Sequence, residues 1–151
     1  MNLSPQGVDL LKKFEGFRSK PYKCSAGYPT IGYGHQINPH EKLDEVTIDQ
    51  ANSLLKQDVL WAERAINARL PNLTQNQFDA LVCFVFNIGV SAFEKSSVLR
   101  FARLRDYKNA LDYWAMYVHD GKVDPNTGKP LISRGLQNRR NAEIALFKSA
   151  S

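Results

Sequence analysis

The stretch that most limits the fold runs from Phe78 to Gly89, FDALVCFVFNIG. Its only polar side chains are Asp79 and Asn87. A helix that is apolar nearly all round cannot lie on a surface and must be enclosed by other elements. Thr74 and Gln77, just before it, have the spacing of a capping box, in which each side chain bonds the other's backbone N–H. Gly89 can take the left-handed conformation that closes a helix. The pattern predicts a buried central helix, and with it enough further helix to wrap it. A chain of 151 residues can supply that within one domain.

The remaining helices announce themselves by caps and stripes. Ser4-Pro5 opens a first helix, since Pro lacks only an N–H that would be unpaired there. Val8, Leu11 and Glu15 follow at helical spacing, and Glu15-Gly16 ends the run. A second capping box, Thr47 with Gln50, starts a stripe of Ile48, Ala51, Leu55, Val59, Ala62, Ile66 and Leu70. This reads as one helix over 47–70, roughly 35 Å long at 1.5 Å per residue, stopped by Pro71. Helices are also expected near 96–103, 106–117 and 134–148, the last capped by Ser133 with Ile144 and Phe147 inward. HDGKVDPNTGKP, between the last two, reads as a turn-rich loop. Residues 17–46 differ: Gly, Pro, Ser, Tyr and Asn dominate, with short alternations such as YPTIGYGH. They predict antiparallel strands near 18–23, 28–33 and 36–38. The expectation is an α+β fold. It has a small N-terminal antiparallel β-lobe (17–46) and a larger helical lobe (1–16 and 71–151), joined by the long helix 47–70.

Charge and composition exclude several classes. The net charge is +5. Five basic residues (Lys95, Arg100, Arg103, Arg105, Lys108) face Asp106 in one segment, and Arg134, Arg139, Arg140 and Lys148 face Glu143 in another. That balance favours a polyanionic partner such as an acidic wall polymer or anionic lipid. No nucleic-acid-binding motif accompanies it, so no nucleic-acid partner is expected. No apolar run approaches the roughly 20 residues of a membrane span, and the charged start MNLSPQGVDLLKKFEGF carries no signal-peptide pattern. The expected location is a cytoplasm, with release depending on something else. Of the two cysteines, Cys83 lies in the apolar run and reads as a core residue. Cys24 sits among loop formers. No cofactor, metal or oligomer is implied, and the chain is expected to be a monomer.

The segment FEGFRSKPYKCSAGYPTIGYGH, Phe14 to His35, holds the candidate site. Glu15 is separated by eight residues from Cys24, and Cys24 by five from Thr30. A carboxyl at a helix C-terminus faces the negative pole of the dipole, which favours its protonated form. In an apolar cleft it can protonate a leaving oxygen. A threonine hydroxyl across from it can hold a water, as an inverting glycosidase requires. At the middle position a two-carboxylate glycosidase would carry Asp, and a thiol stabilises positive charge poorly unless ionised. Lys20 and Lys23 would favour the thiolate if near it in space.

This segment resembles the catalytic segment of the phage-type lysozymes, the endolysin family that includes the T-even phage lysozymes. That pattern is Glu, eight residues, Asp or Cys, five residues, Thr, then Gly-aromatic-Gly-His, here Gly32-Tyr33-Gly34-His35. The likeness continues through KQDV (56–59), FNIG (86–89) and GLQNRR (135–140). The resemblance implies a lysozyme-like fold and cleavage of the β-1,4 bond between N-acetylmuramic acid and N-acetylglucosamine in peptidoglycan, lysing the host at the end of the phage cycle. It implies Glu15 as the acid, Thr30 as the water-positioning residue and Cys24 at the position where Asp is commoner. There Cys24 would be a water-holding partner, a charge stabiliser or a nucleophile. It implies Asn87, Gly34 and Arg139 on the substrate side, Arg139 approaching Glu15 with Arg140 as the alternative, and a structural His35–Asp58 ion pair. It also implies a holin-type pore protein that releases the enzyme from the host cytoplasm to the periplasm and wall. The last helix could touch anionic membrane weakly. Two alternatives stand beside this: a lytic transglycosylase using Glu15 alone, and a non-enzymatic basic protein that binds wall or disrupts membrane.

Overall fold

A computed structural model describes residues 1–150. The fold is α+β, with eight helices and two small antiparallel sheets among the described residues. The chain divides into two compact units, one from Val8 to Trp61 and the other from Met1–Gly7 together with the chain from Ala62 onward. The boundaries differ from the expected 17–46 lobe: most of the first helix and all of the second group with the sheet.

The sheet unit holds the strands β1 (Arg18–Lys23), β2 (Pro29–Gly32) and β3 (His35–Gln36), in that order and antiparallel. Tyr22 pairs with Thr30, and Ile31 with His35. The β1–β2 register shifts between Arg18 and Tyr22, where Pro21 has no N–H to give the ladder. A small core of Ile31, Val46 and Ala51 lies under the sheet, with Tyr33, Ile37, Leu43 and Leu54 against it. Ala51 belongs to α2 (Ile48–Asp58), whose capping box with Thr47 and Gln50 forms as expected.

The expected helix 47–70 is two helices. α2 ends at Asp58 and α3 runs Leu60–Arg69. The junction is Val59 alone, which keeps a right-handed conformation (φ −81°, ψ −14°) and bonds back to the Leu55 carbonyl at 3.0 Å. The apolar stripe therefore passes through the junction almost in phase, and a pattern read at steps of three and four cannot register it.

In the other unit α4 (Gln75–Ile88) is the enclosed helix that FDALVCFVFNIG requires, with Phe78 through Val85 all buried. It packs on α8 (Arg134–Lys148). Phe84 is the hub, with ring centroids 4.7 Å from Trp114, 5.1 Å from Tyr117 and 6.2 Å from Phe93. Trp114 meets Phe147 from α8 at 5.6 Å. The shell is completed by α5 (Val90–Glu94), α6 (Ser97–Arg103) and α7 (Tyr107–Trp114). α5 has only five residues, too few for a periodic stripe.

The segment expected as a loop is a hairpin. β4 (His119–Val123) and β5 (Pro130–Ile132) pair antiparallel, His119 with Ile132 and Val123 with Pro130. Every residue of both strands is exposed. A ribbon wet on both faces needs no alternation of apolar and polar residues, so the usual strand signal is missing.

The first helix, α1 (Pro5–Glu15), begins on a buried carboxylate that sequence reading did not single out. Asp79 of α4 accepts from the Ser4 amide at 3.0 Å, from the Ser4 hydroxyl, and from Gln75 Nε2 at 2.8 Å. Gly7 lies against it: a Cβ there would stand 2.7 Å from Asp79 Cγ.

Candidate active site

Glu15 is the last residue of α1. Gly16 closes the helix behind it, at φ +69° with its N–H on the Lys12 carbonyl at 2.9 Å. The half-buried carboxylate reaches the turn between β2 and β3. A Cβ built on Gly34 would lie 3.2 Å from Glu15 Oε2, and Gly34 sits at φ +80°. Both the conformation and the approach of the carboxylate thus call for glycine at 34.

Thr30 stands in the middle of β2, 2% exposed, opposite Tyr22 on one side and Gln36 on the other. Cys24 follows β1 directly. Its N–H bonds the Tyr28 carbonyl at 3.0 Å and its own carbonyl accepts from Gly27 at 2.8 Å, forming a tight turn. The turn aims amides at the sulfur. Hydrogen bonds from the backbone of Tyr28, then Ala26, pull the Cys24 thiol below its ordinary value, slight burial opposes them, and the Thr30 hydroxyl and Gly27 add to the lowering. Lys20 and Lys23 are not the cause. The Thr30 hydroxyl is within reach of both the Tyr28 carbonyl, at 3.0 Å, and the Cys24 thiol. Having one proton, it donates to one of them at a time and offers lone pairs to a third group.

His35 ends the motif and is buried. Its Nδ1 faces Asp58 Oδ2 at 2.8 Å, the ion pair expected between sheet and helix. Its Nε2 faces Glu41 Oε1 at 3.0 Å, a partner sequence reading missed because Glu41 lies in an aperiodic loop. Burial works against the charged ring, but the hydrogen bonds to Asp58 and Glu41 outweigh it and hold His35 above its usual value.

Asn87 and Arg139 lie in the other unit, in and beside a buried ionic cluster. Glu143, fully buried, accepts from Arg139 Nε at 3.1 Å, Arg140 Nη1 at 2.6 Å and Trp114 Nε1 at 3.1 Å. Arg139 Nη2 also donates to the Cys83 carbonyl at 3.0 Å, and Arg139 is 5% exposed. Arg140 reaches the Tyr117 carbonyl at 2.8 Å and donates to Asn87 Oδ1, so the exposed Asn87 amide is oriented by Arg140. A hollow of about 260 Å³ lies there, lined by Asn87, Ile88, Tyr117, His119, Leu136 and Arg140. Sequence reading treated Glu143 only as a charge against the basic helix; its spacing of three and four from Arg140 and Arg139 was the available signal. Cys83 is 1% exposed, as expected of a core thiol, and neither cysteine is in a disulfide. No group of three His, Cys, Asp or Glu side chains among the described residues could hold a metal, and no described helix is long and apolar enough to cross a membrane.

Comparison with known proteins decides the family. The family model described as phage lysozyme matches residues 12–143. The chain belongs to the phage lysozyme family. It is 40% identical over 151 residues to the endolysin of Acyrthosiphon pisum secondary endosymbiont phage 1, covering 99% of this chain and 100% of the relative. It is 41% identical over 155 residues to the endolysin of Salmonella phage P22, covering 99% of both. Among solved structures it is similar to the muramidase domain of SpmX from Asticaccaulis excentricus, with a TM-score of 0.88, 35% identity and 99% of each chain covered. The α+β architecture is that of phage lysozyme structures.

Proposed function

We propose that Glu15 is the general acid of this phage lysozyme, that Thr30 and Cys24 together hold the attacking water, and that the bond cut joins N-acetylmuramic acid to N-acetylglucosamine. As a member of its family the protein is a glycoside hydrolase, an endolysin that degrades peptidoglycan for host lysis. The family match, which runs through both compact units, supports reading the chain as a single lysozyme-like domain. The observation that carries the site is the pairing of Cys24 with Thr30 at one turn, in the same unit as Glu15 on Gly34. With its proton on the Tyr28 carbonyl, Thr30 presents lone pairs beside a sulfur that backbone amides favour as thiolate. Two neighbouring acceptors can each take one O–H of a water, leaving its lone pair directed outward at an anomeric carbon. As the bond from the water oxygen to the anomeric carbon forms and the glycosidic bond breaks, Glu15 gives its proton to the departing sugar oxygen and the Cys24 thiolate takes the proton that the water sheds. Gly34 leaves room for the acid, and Gly34, Asn87 and Arg139 are assigned the substrate-binding roles that the family resemblance implies. Release through a holin-type pore protein and a monomeric state complete the reading.

Glu15→Gln tests it. The variant should fold normally and lose reducing-sugar release from purified peptidoglycan by at least about 100-fold, in the range that general acid catalysis contributes. Undiminished lysis by that variant would reject the acid role and favour the membrane-disrupting alternative. Anhydro ends in place of reducing ends would reject hydrolysis in favour of transglycosylation.

A further inference from the structure

The turn joining α6 to α7 departs from local preference. α6 closes with two reverse hydrogen bonds, Arg105 N–H to the Ala102 carbonyl and Asp106 N–H to the Phe101 carbonyl, both 3.0 Å. This closure puts its first residue beyond the cap in the left-handed region, a place usually held by glycine. Here that residue is Arg105, at φ +57°. Among the described residues the only other non-glycine with positive φ is Asn72, a type that tolerates it. An arginine there costs free energy that glycine would not, and such strain points to a use for the side chain.

Its surroundings supply one. Arg105 and Arg103 line a cavity of about 200 Å³ with Arg69, Tyr107, Leu70 and Leu73. Arg69 is claimed by Glu94 and by the Ala65 carbonyl at 3.0 Å. Arg103 and Arg105 have no carboxylate partner among the described residues. The adjacent Asp106 is turned to α7, where it accepts from the Asn109 amide at 3.2 Å and from Asn109 Nδ2 at 2.7 Å. Two arginines with unclaimed, forked donors therefore line one hollow, and forked guanidinium donors match the paired non-bridging oxygens of a phosphate. Between them Leu104 is 71% exposed.

We propose that this pocket binds a phosphoryl group, either as a free anion or on an anionic lipid headgroup. None of its residues belongs to the hydrolytic site. The guanidiniums grip the oxygens, and Leu104 is placed to enter the apolar margin of a bilayer if the phosphate is a lipid's.

Calorimetry with inorganic phosphate at low salt, and co-sedimentation with phosphatidylcholine vesicles with or without phosphatidylglycerol, test the idea on the whole chain. Arg103→Gln and Arg105→Gly should each weaken phosphate binding about tenfold or more, since each removes charge-assisted hydrogen bonds, while hydrolysis of soluble wall fragments stays at the parent rate. Arg105→Gly should also melt no lower than the parent, because glycine relieves the left-handed strain. Lys108→Gln, an exposed charge outside the pocket, should bind phosphate as the parent does. Binding of phosphatidylglycerol vesicles that phosphate displaces assigns the lipid source; binding of phosphate without vesicles assigns the free anion. Absence of both, or parent-like binding by Arg103→Gln and Arg105→Gly, overturns the proposal.

Discussion

Replacing Glu143 by Gln removes one charge from the most buried ionic cluster among the described residues while keeping its shape. Glu143 is fully buried, and Arg139 and Arg140 are 5% and 1% exposed. The carboxylate accepts from both guanidiniums and from the Trp114 indole. Burial already pulls the Arg140 guanidinium below its usual value, and Glu143 is the main force opposing that. A glutamine can still accept on one side, but its NH₂ must face a guanidinium, donor against donor. The buried Arg140 then loses the counter-charge that Glu143 supplies. Breaking a buried pair from one side costs about 3–5 kcal/mol, a large part of the roughly 5–15 kcal/mol by which a domain is stable. At ~2–4 °C per kcal/mol for a chain of this size, the melting temperature should fall by roughly 6–20 °C. Urea denaturation followed by tryptophan fluorescence measures this, with Asp112→Asn as the control. Asp112 forms an exposed pair with Lys108 at 3.6 Å, so its loss should cost no more than about 0.5 kcal/mol. If Glu143→Gln behaves like Asp112→Asn, the cluster does not hold α8 to the core and the reasoning fails.

Other expectations follow from the same geometry. His35 has a folded pKa raised above its unfolded value by Asp58 and Glu41. Its stabilisation is therefore complete below the unfolded pKa, about 6.5, and is lost as pH rises through the folded one. His35→Gln should flatten the stability profile across that window, and an unchanged profile would exclude the double ion pair. Gly7→Ala should destabilise by about 1–3 kcal/mol through overpacking, since its Cβ would stand 2.7 Å from both Asp79 Cγ and Leu3 Cδ1; an unaltered denaturation midpoint would contradict this. Cys24 should be alkylated by iodoacetamide with a pH midpoint below that of an ordinary thiol, Thr30→Val should raise that midpoint, and Cys83 should stay unreactive. In wall-digestion assays Cys24→Asp should keep most activity and Cys24→Ala lose much of it; an alanine variant as active as the parent would make the thiol a bystander.

The two capping boxes, the enclosed helix and the closing glycines were legible in the sequence because each is settled within a few residues. Thr47 with Gln50 and Thr74 with Gln77 form the bonds their spacing implies. β1 spans the expected 18–23, and α8 the expected 134–148. The α+β class followed, and so did the grouping of Glu15, Cys24 and Thr30 as candidates, since their spacing carries the family pattern. What failed did so for want of a local signal. The junction at Val59 leaves an apolar stripe in phase, and the hairpin at 119–132 is exposed on both faces.

The sequence by itself determined where the capped helices begin, which helix is enclosed, and which side chains could do acid chemistry, because caps, periodicity and residue type act over one or two turns. Tertiary structure alone decided which buried charges meet. Asp79 receives the start of α1, Glu41 joins Asp58 on His35, and Glu143 gathers two arginines and a tryptophan. Folding brings Asp79 to Ser4, Asp58 to His35 and Trp114 to Glu143 across long stretches of chain, and desolvation then makes each charge depend on the partner it finds there.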